Sequence, residues 1–598
     1  MSVDIQEEID ISHVTNNHSE HVKREKDDLV YGIEDNPPFL QQIILSLQLF
    51  MSVFTGNIWI PLLLSEILCM ETEVVVISKI ISATFLMQGV ITLLQATFGV
   101  RLPIIQGSSF SYIPPSIALV TFYGGCTQGE GLSKNETAGD HIWKETLAEI
   151  NGGLLVASAI EVIIGVTGLV TLIRRFVGPL SIAPVLILLG ISLCQVSWKS
   201  CQVHWGVSLF TAALIVIFSQ LLNNKKVPMI SFSKEKGFHV VRTRLFLKFS
   251  MFLAIMCSWF LCFILTVSGA LPDDPSARTY RTRTDIGNEA FNNTGWITFP
   301  YPGQIVWPRP TLAASFGMLA AVIASIVESM GHYNACAAIC DVPTPPDHAI
   351  NRGIAVEGLG GVLSCIWGTG TGTASYSAPI VIIGITKVAS RRVVQGVGVF
   401  FIMMGFLQVL SSFFATIPSP VLGGTLIAKT GMIISIGISL LQKVNLSSSR
   451  NLFVLGLSLF FGIVMPEYLK QTPNAINTGS PTFNSSATIL LETGIFVGFV
   501  TGVVFDNLIP GSLVDRGLGP RFETSGGTEA ESNQGQEVKT IVKSCYNLPV
   551  GMNLIRRSRY AAFFPLSPTF RGFSKKSRQS SYDQVCEKEP MTLETVEQ

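Results

Sequence analysis

The hydrophobic pattern of this chain consists of long apolar runs separated by short polar segments. From Phe39 onward these runs carry few charged residues, and each is long enough to cross a bilayer core of about 30 Å. We therefore predict an all-α polytopic membrane protein of about fourteen spans, some of them short or broken. The spans are expected to begin near Phe39, Val74, Leu102, Gly152, Pro179, His204, Leu245, Pro310, Gly353, Thr371, Val393, Pro420, Leu452 and Thr488.

The composition supports a membrane protein and gives no support to an enzyme. Of the 598 residues, 48% are hydrophobic and 14% are charged, whereas soluble proteins have about a quarter charged. The net charge is zero and excludes nothing. The cysteines are scattered without a CxxC pair, which argues against a zinc site or a disulfide framework, with Cys126 in a polar loop as a candidate for pairing. Neither a Ser-His-Asp pattern nor a metalloprotease pattern is present.

The apolar region has polar tails on both sides. Residues 39–511 are predicted to form the transmembrane domain, while 1–38 and 512–598 form cytoplasmic tails. The segment "ETSGGTEAESNQGQE" in the second tail has a composition typical of disorder.

Basic residues and glycosylation sequons predict the same orientation. The segments "IRRF", "TKVASRR" and "QKVNLSSSR" fall in loops on the side of the termini, and basic loops stay in the cytoplasm. The sequons at Asn135, Asn292 and Asn484 fall on the opposite side, and we expect these residues to be glycosylated. An even number of spans then places both termini in the cytoplasm.

Two predicted spans are interrupted at matching places in the two halves of the chain. They are the third, "RLPIIQGSSFSYIPPSIALV", and the tenth, "WGTGTGTASYSAPIVIIGITK". Paired interruptions of this kind indicate two inverted seven-span repeats with a binding site between them. We expect "SFSYI" and "TASYS" to form short strands that cross each other. The helix after each strand would direct its positive N-terminal end at the same point.

Glu328 is the leading candidate for a functional residue. It lies in the apolar stretch "AVIASIVESMGHYNACAAIC" together with His332, on the same helical face. A carboxylate in a span costs about 2.5–3.5 kcal/mol on insertion scales, so a paired or functional role is expected. With hydroxyls from Ser108, Ser109 and Ser375, it predicts a pocket for a small polar molecule. The alternative is that Glu328 only bonds His332 or a helix backbone.

Other charges in the spans have less specific interpretations. Glu161 is either held by a neighbouring helix or involved in cation coupling. Lys429 either extends toward the membrane surface or pairs with a carboxylate. Glu492 and Asp506 lie near span ends, where an interfacial position is expected.

Several motifs resemble the nucleobase–ascorbate transporter family, also called solute carrier family 23 or nucleobase:cation symporter-2. They include "ESMGHYNACAA", "HAINRGIAVEGLGGVLSCIWGTGTGT", "NLSSSRNLFVLGLSLFFGI" and "FDNLIPGSLVDRGL". The resemblance is strongest to the animal branch, the sodium-dependent vitamin C transporters. It covers most of the region from Phe39 to Leu518.

This resemblance implies an architecture and a mechanism. Spans 1–4 and 8–11 would form a core domain that carries the substrate, and spans 5–7 and 12–14 a gate domain. The core would move against the gate like an elevator, in a homodimer. Animal members couple uptake to Na⁺ and many microbial members to H⁺.

The resemblance also assigns a substrate site. Its residues would be Glu328, Ser108, Ser109 and Phe110, with Ser377 and Ala378 from the tenth span. His332, Glu161 and Ser375 would tune the site or take part in cation coupling. The residues do not identify the ligands of the ion.

Three departures from the family pattern leave the substrate open. The tenth-span signature of the family lacks its Asn and Gly, because this chain has Ala378, Pro379, Ile380 and Val381 at that place. The first span has Leu49 after Gln48, where the family often has Gln-His. Lys429 is an unexpected charge in the twelfth span.

We therefore predict a multi-pass plasma-membrane transporter that imports a small polar solute, ascorbate or a nucleobase, with a cation for which Na⁺ is the candidate. Its partners would be the solute, the lipid bilayer and a second copy of the chain, without a cofactor and without a nucleic acid polymer. Two alternatives remain: a divergent member that acts as a sensor or partner without transport, and an anion exchanger of related architecture.

Overall fold

The computed structural model describes residues 29–70, 73–123, 137–233, 237–274, 277–286, 295–442, 444–472, 475–512, 515–517 and 545–570. Within these residues the chain is mostly helical. The helices are α1 (Phe39–Ile67), α2 (Val74–Thr97), α3 (Ile113–Phe122), α4 (Thr137–Thr167), α5 (Leu169–Phe176), α6 (Pro179–Cys201), α7 (Trp205–Val216), α8 (Leu245–Val267), α9 (Leu312–Ile339), α10 (Asp347–Ile366), α11 (Ser377–Thr386), α12 (Arg391–Phe406), α13 (Gln408–Ala415), α14 (Ser419–Leu441), α15 (Ser449–Gln471), α16 (Pro481–Glu492), α17 (Gly494–Leu508) and α18 (Met552–Arg557).

Many of these helices are able to cross a membrane. Among the described residues, nine are long and apolar enough, and two bent pairs, α12 with α13 and α16 with α17, raise the number to eleven. Three shorter apolar helices lie at Phe110–Phe122, Trp205–Leu221 and Ser377–Thr386. The multi-pass helical architecture is confirmed, and a total of fourteen spans in two inverted repeats stays a prediction.

Most predicted span starts lie within a few residues of a helix start. The third and fourth are exceptions: Leu102 precedes a short strand and α3 begins only at Ile113, while the helix expected from Gly152 begins at Thr137. The segment that precedes Gly152 contains several charged residues, so hydropathy alone did not include it. The helix continues into this polar segment, since backbone hydrogen bonding does not end where the apolar run ends.

The two interruptions in the apolar pattern lie side by side. Strand β1 (Gln106–Ser108) pairs antiparallel with strand β4 (Thr373–Ser375), so that Gly107 lies opposite Ala374. Each strand is followed by a short apolar helix, α3 or α11. Buried backbone groups require hydrogen-bond partners at membrane depth, and each strand supplies them to the other.

Close helix contacts surround this strand pair. A Cβ atom at Gly358 would lie 2.7 Å from the backbone nitrogen of Val162, and one at Gly361 would lie 2.2 Å from Ser158 Oγ. Helix α10 therefore approaches α4 at positions where a side chain would clash. This contact places Glu161 of α4 and Glu357 of α10 in the same buried layer.

Parts of both predicted tails pack against the helices. Ile33 is buried, and so are Cys545 and Tyr546. The guanidinium of Arg391 donates to Glu34 and to the Cys545 carbonyl. Within the predicted polar tails, these segments are therefore packed, because their few apolar side chains find a buried position beside the helix ends.

Two further features differ from the sequence analysis. A β-hairpin, β2 (Val227–Ser233) with β3 (Gly237–Thr243), occupies one of the basic loops. Cys69 is disulfide-bonded, a pairing that the sequence analysis did not assign, while Cys126, its candidate for pairing, lies outside the described residues.

Candidate functional site

The loop between β1 and α3 places three consecutive side chains beside α9. Ser109 precedes a 3₁₀ turn, Phe110–Tyr112, and its hydroxyl accepts a hydrogen bond of 3.1 Å from the backbone N–H of Ser111. This local bond fixes the turn, since a side-chain oxygen satisfies an N–H at its start. The hydroxyls of Ser109 and Ser111 therefore face the same neighbouring helix.

Glu328 of α9 is the group that these hydroxyls contact. Its Oε2 accepts from Ser109 at 3.4 Å and from Ser111 at 3.3 Å. Glu328 is half-buried, and both bonds are long for O–H···O contacts. A carboxylate held by two weak bonds keeps acceptor capacity for a further donor.

His332 lies one turn beyond Glu328 and contacts the other strand. Its Nδ1 is 2.7 Å from the carbonyl oxygen of Ser375, so Nδ1 carries a proton and donates. The hydrogen bonds found within the described ranges do not include one between His332 and Glu328. His332 therefore links α9 to β4, and the proposed tuning of Glu328 by a direct contact is not seen in this conformation.

The hydroxyls of the two strand residues point elsewhere. Gln88 Nε2 donates to Ser108 Oγ at 3.1 Å, and Ser375 Oγ donates to Glu357 Oε1 at 2.6 Å. Of the predicted hydroxyl contacts to Glu328, the structure brings Ser109 into place and turns those of Ser108 and Ser375 away. Ser111 takes a position that the sequence analysis missed.

Glu357 of α10 is a second buried carboxylate that the sequence analysis also missed. It is fully buried, and its Oε1 accepts from Tyr333 at 2.7 Å, from Ser375 at 2.6 Å and from Gln106 Nε2 at 3.2 Å. Because Gln106 lies on β1 and Ser375 on β4, this carboxylate ties the two strands to α9 and α10. The signal was available, since "AVEGLGG" places an acid in an apolar span as "SIVESMG" does.

Tyr376 and Lys429 meet at the opposite side of the strand pair. The Tyr376 hydroxyl donates to the Ser108 carbonyl at 2.9 Å. Lys429 of α14 donates to the Gly56 carbonyl at 3.3 Å, and its Nζ lies 4.9 Å from the Phe110 ring centre. The ring of Phe110 thus faces the lysine, while its two sequence neighbours face Glu328.

The other predicted site residues occupy different surroundings. Ser377 is half-buried and Ala378 is exposed, both at the start of α11. Glu161 is fully buried, and within the described part of the chain neither of its carboxylate oxygens has a hydrogen-bond partner. A buried carboxylate without partners is costly, so this position requires a proton or a cation.

Of the three glycosylation candidates, the structure describes Asn484. Asn135 and Asn292 lie outside the described residues. Asn484 is half-buried in the first turn of α16, and its Oδ1 accepts from Thr478 N and Oγ1. Across the described ranges there is no cluster of three or more His, Cys, Asp or Glu side chains suited to a metal ion.

The arrangement is suited to binding a small solute. The 3₁₀ turn is surrounded by the Glu328 carboxylate, which has spare acceptor capacity, and by the Lys429 ammonium, and it carries the hydroxyls of Ser109 and Ser111. Such groups recognise a small molecule with several donors and acceptors.

Comparisons with known proteins agree with this description. Residues 40–471 match the model of a permease family. The chain is 39% identical over 575 residues to solute carrier family 23 member 1 of Mus musculus, covering 95% of this chain and 93% of the relative. It is 40% identical over 564 residues to solute carrier family 23 member 2 of Homo sapiens, covering 93% and 85%. It is also 31% identical over 542 residues to nucleobase-ascorbate transporter 1 of Arabidopsis thaliana, covering 88% and 96%.

The similarity to solved structures is weaker. The transmembrane domain of a cyanobacterial bicarbonate transporter, BicA, aligns with a TM-score of 0.42 at 12% identity, covering 79% of this chain and 99% of that one. The murine anion transporter of solute carrier family 26, member A9, aligns with a TM-score of 0.44 at 11% identity, covering 85% and 76%.

Proposed function

Because this chain belongs to the permease family, among the solute carrier family 23 proteins, we propose that it is a secondary transporter importing ascorbate or a nucleobase together with Na⁺. The family consists of transporters and not of enzymes. The solute, the ion and the direction of transport are part of the proposal.

The observation that carries the proposal is the position of Glu328. It lies beside two chain interruptions whose strands pair with each other, and from the described residues it accepts two long hydrogen bonds. A transporter needs a site that binds its solute reversibly. A partly exposed carboxylate with spare acceptor capacity is able to bind N–H or O–H donors of a solute in this way.

The other predicted residues complete the site in this proposal. The edge of the solute opposite Glu328 would be bound by the Ser109 hydroxyl and by the backbone of Ser108 and Phe110. Ser377 and Ala378, at the N-terminal end of α11, add backbone donors. His332 positions β4 through its bond to the Ser375 carbonyl.

Cation coupling is proposed to involve Glu161. Its buried oxygens lack partners, and Na⁺ is an oxygen-seeking cation of the kind that such a carboxylate attracts. The neighbouring network reaches the solute site, since Glu357 binds Ser375 and Gln106 of the two strands. An ion that stabilises the strand pair would raise solute affinity, and by linkage the solute would raise ion affinity to the same extent.

The movement and assembly follow the family expectation. Spans 1–4 and 8–11 would carry the solute past spans 5–7 and 12–14 in a homodimer in the plasma membrane. Both termini would be cytoplasmic with the three sequons outside. The segments near residues 29–35 and 545–546 both contact Arg391, which supports a position of the two segments on the same side of the membrane.

The deciding experiment is uptake of a labelled panel by cells expressing the full chain. Ascorbate, uracil, xanthine and urate are compared in Na⁺ medium and in medium with choline replacing Na⁺. We expect saturable uptake of at least one solute that falls at least tenfold without Na⁺. Uptake unaffected by Na⁺ would overturn the coupling, and no uptake of any solute by protein at the cell surface would favour the sensor or partner alternative.

A further inference from the structure

The position of Lys429 bears on the charge of the solute. Lys429 is on α14, which packs along α6 and α7, yet its ammonium reaches α1 and the 3₁₀ turn. It is 8% exposed and donates to the Gly56 carbonyl at 3.3 Å. It therefore brings a positive charge to the loop whose serines contact Glu328.

The surroundings of Nζ suit a charged ammonium. The ring centres of Phe110 and Trp59 lie 4.9 Å and 5.6 Å from Nζ, and aromatic faces attract cations at such distances. The carbonyl of Gly56 adds a negative dipole. These groups stabilise a cation, although none of them neutralises its charge.

No carboxylate completes the site of Lys429. Within the described part of the chain, no Asp or Glu oxygen lies within the 4.0 Å of an ion pair from its Nζ. An ammonium has three donor hydrogens, and among the described residues the Gly56 carbonyl accepts one of them. Beside it, Asn57 is fully buried with neither amide atom hydrogen-bonded, and its Oδ1 faces Gly107 of β1.

Lys429 and Glu328 thus approach the 3₁₀ turn from two sides without bonding each other. Phe110 stacks on the lysine, and the adjacent Ser109 and Ser111 donate to the carboxylate. A buried charge without a partner is unfavourable, and a ligand of opposite charge removes this cost. A solute between the two groups would meet an acceptor on one side and a cation on the other.

We propose that Lys429 selects the charge of the solute: the site takes a planar ring acid that presents N–H or O–H donors to Glu328 and an ionised oxygen or ring nitrogen to Lys429. This inference rests on the proposed transport function and narrows its solute. Ascorbate and urate, which are anions at neutral pH, have both edges. Uracil and hypoxanthine, which are neutral, offer Lys429 only a carbonyl or a ring nitrogen without net charge.

The test compares anionic and neutral solutes of similar size. Inhibition constants of urate against hypoxanthine, and of ascorbate against uracil, are measured on the labelled uptake of the wild-type full chain, Lys429→Met and Lys429→Arg. A matched control is Lys144→Met, since Lys144 is also a lysine over a ring, 5.2 Å from Trp143, but is exposed on α4. Surface protein is quantified for each variant.

We expect the wild type to prefer the anion in each pair. Lys429→Met should lower the anion-over-neutral ratio by roughly tenfold to a hundredfold, because a charge-assisted hydrogen bond is lost. Lys429→Arg should keep most of the preference, and Lys144→Met should keep all of it. An unchanged ratio in Lys429→Met, or an equal fall for both members of a pair, overturns charge selection.

The preference of the wild-type protein between the anionic and the neutral solute tests the proposal without any variant. If Lys429→Met does not reach the surface, a tenfold preference of the wild type for the neutral member of each pair still overturns the proposal. If no solute is taken up, the transport function fails separately. Thermal stabilisation of the purified full chain by urate, but not by hypoxanthine, would then support the charge preference, and the reverse would refute it.

Discussion

At the scale of single residues, the structure gives two similar carboxylates different tasks. Glu328 is half-buried and accepts two bonds of 3.3 and 3.4 Å. Glu357 is fully buried and accepts from four neighbours, Tyr333, Ser375, Gln106 and Gln95, at 2.6–3.5 Å. The first keeps acceptor capacity for a further donor, whereas the second holds strands and helices together.

Replacing Glu328 by Gln should abolish uptake while surface expression stays near that of the wild type. The amide has nearly the same shape, but it loses the charge and one of the two acceptor oxygens. Uptake and surface biotinylation are measured together, with Glu467→Gln on the exposed face of α15 as the matched control. Wild-type rates in Glu328→Gln would show that the site is elsewhere.

Replacing Glu357 by Ala should instead destabilise the protein. The substitution leaves the donors of Tyr333, Ser375 and Gln106 without their acceptor, and each buried orphan costs about 1–3 kcal/mol. We expect the apparent melting temperature of the detergent-purified protein to fall by several degrees, compared with Glu467→Ala. A melting temperature equal to that of the control would argue against the network described here.

At the scale of elements, the strand pair depends on residues without bulk. A Cβ at Gly107 would lie 2.5 Å from Asn57 Oδ1 and from the Tyr376 ring, and one at Gly372 would lie 2.5 Å from the Tyr112 ring. Real Cβ atoms do not approach other groups so closely, because interiors are already close-packed. The small residues in the interruptions therefore allow β1 and β4 to meet, besides breaking the helices.

Replacing Gly107 by Ala should separate β1 from its neighbours and strongly reduce uptake. A matched control is Gly431→Ala on α14, where an added Cβ meets nothing within 4 Å. The control should gain slightly in helix stability, by up to about 1 kcal/mol, because Ala favours helices. Equal uptake in the two variants would refute the tight strand contact.

At the scale of the whole molecule, a segment beyond the membrane helices, around Tyr546, takes part in the fold. Arg352 Nη2 donates to the Tyr546 carbonyl at 2.7 Å, and the Tyr546 hydroxyl donates to the Pro343 carbonyl at 2.6 Å. Elsewhere Asp506, expected at an interface, is fully buried between Arg450 and Arg516. Loops and helix ends that are distant in sequence are thus tied together by a few buried polar contacts.

Ending the chain after residue 544 should reduce surface expression and thermal stability. This truncation removes one acceptor of Arg352 and one of Arg391, and the donors that lose them are left buried and unsatisfied. Ending the chain after residue 570 keeps all of these contacts and serves as the control. If the two truncated proteins are equally stable, the packed segment does not contribute to the fold.

The sequence by itself determined the membrane character, most helix starts, the two interruptions and the position of Glu328 in an apolar span. These features depend on local composition, because an apolar run, a cluster of Gly and Pro, or a lone acid in a span is visible without knowing its neighbours. Tertiary structure alone decided that Ser111 rather than Ser108 donates to Glu328. It also decided that Ser375 donates to Glu357 and that Lys429 reaches the 3₁₀ turn. The direction of a side chain depends on the elements packed around it, and those elements come from distant parts of the chain.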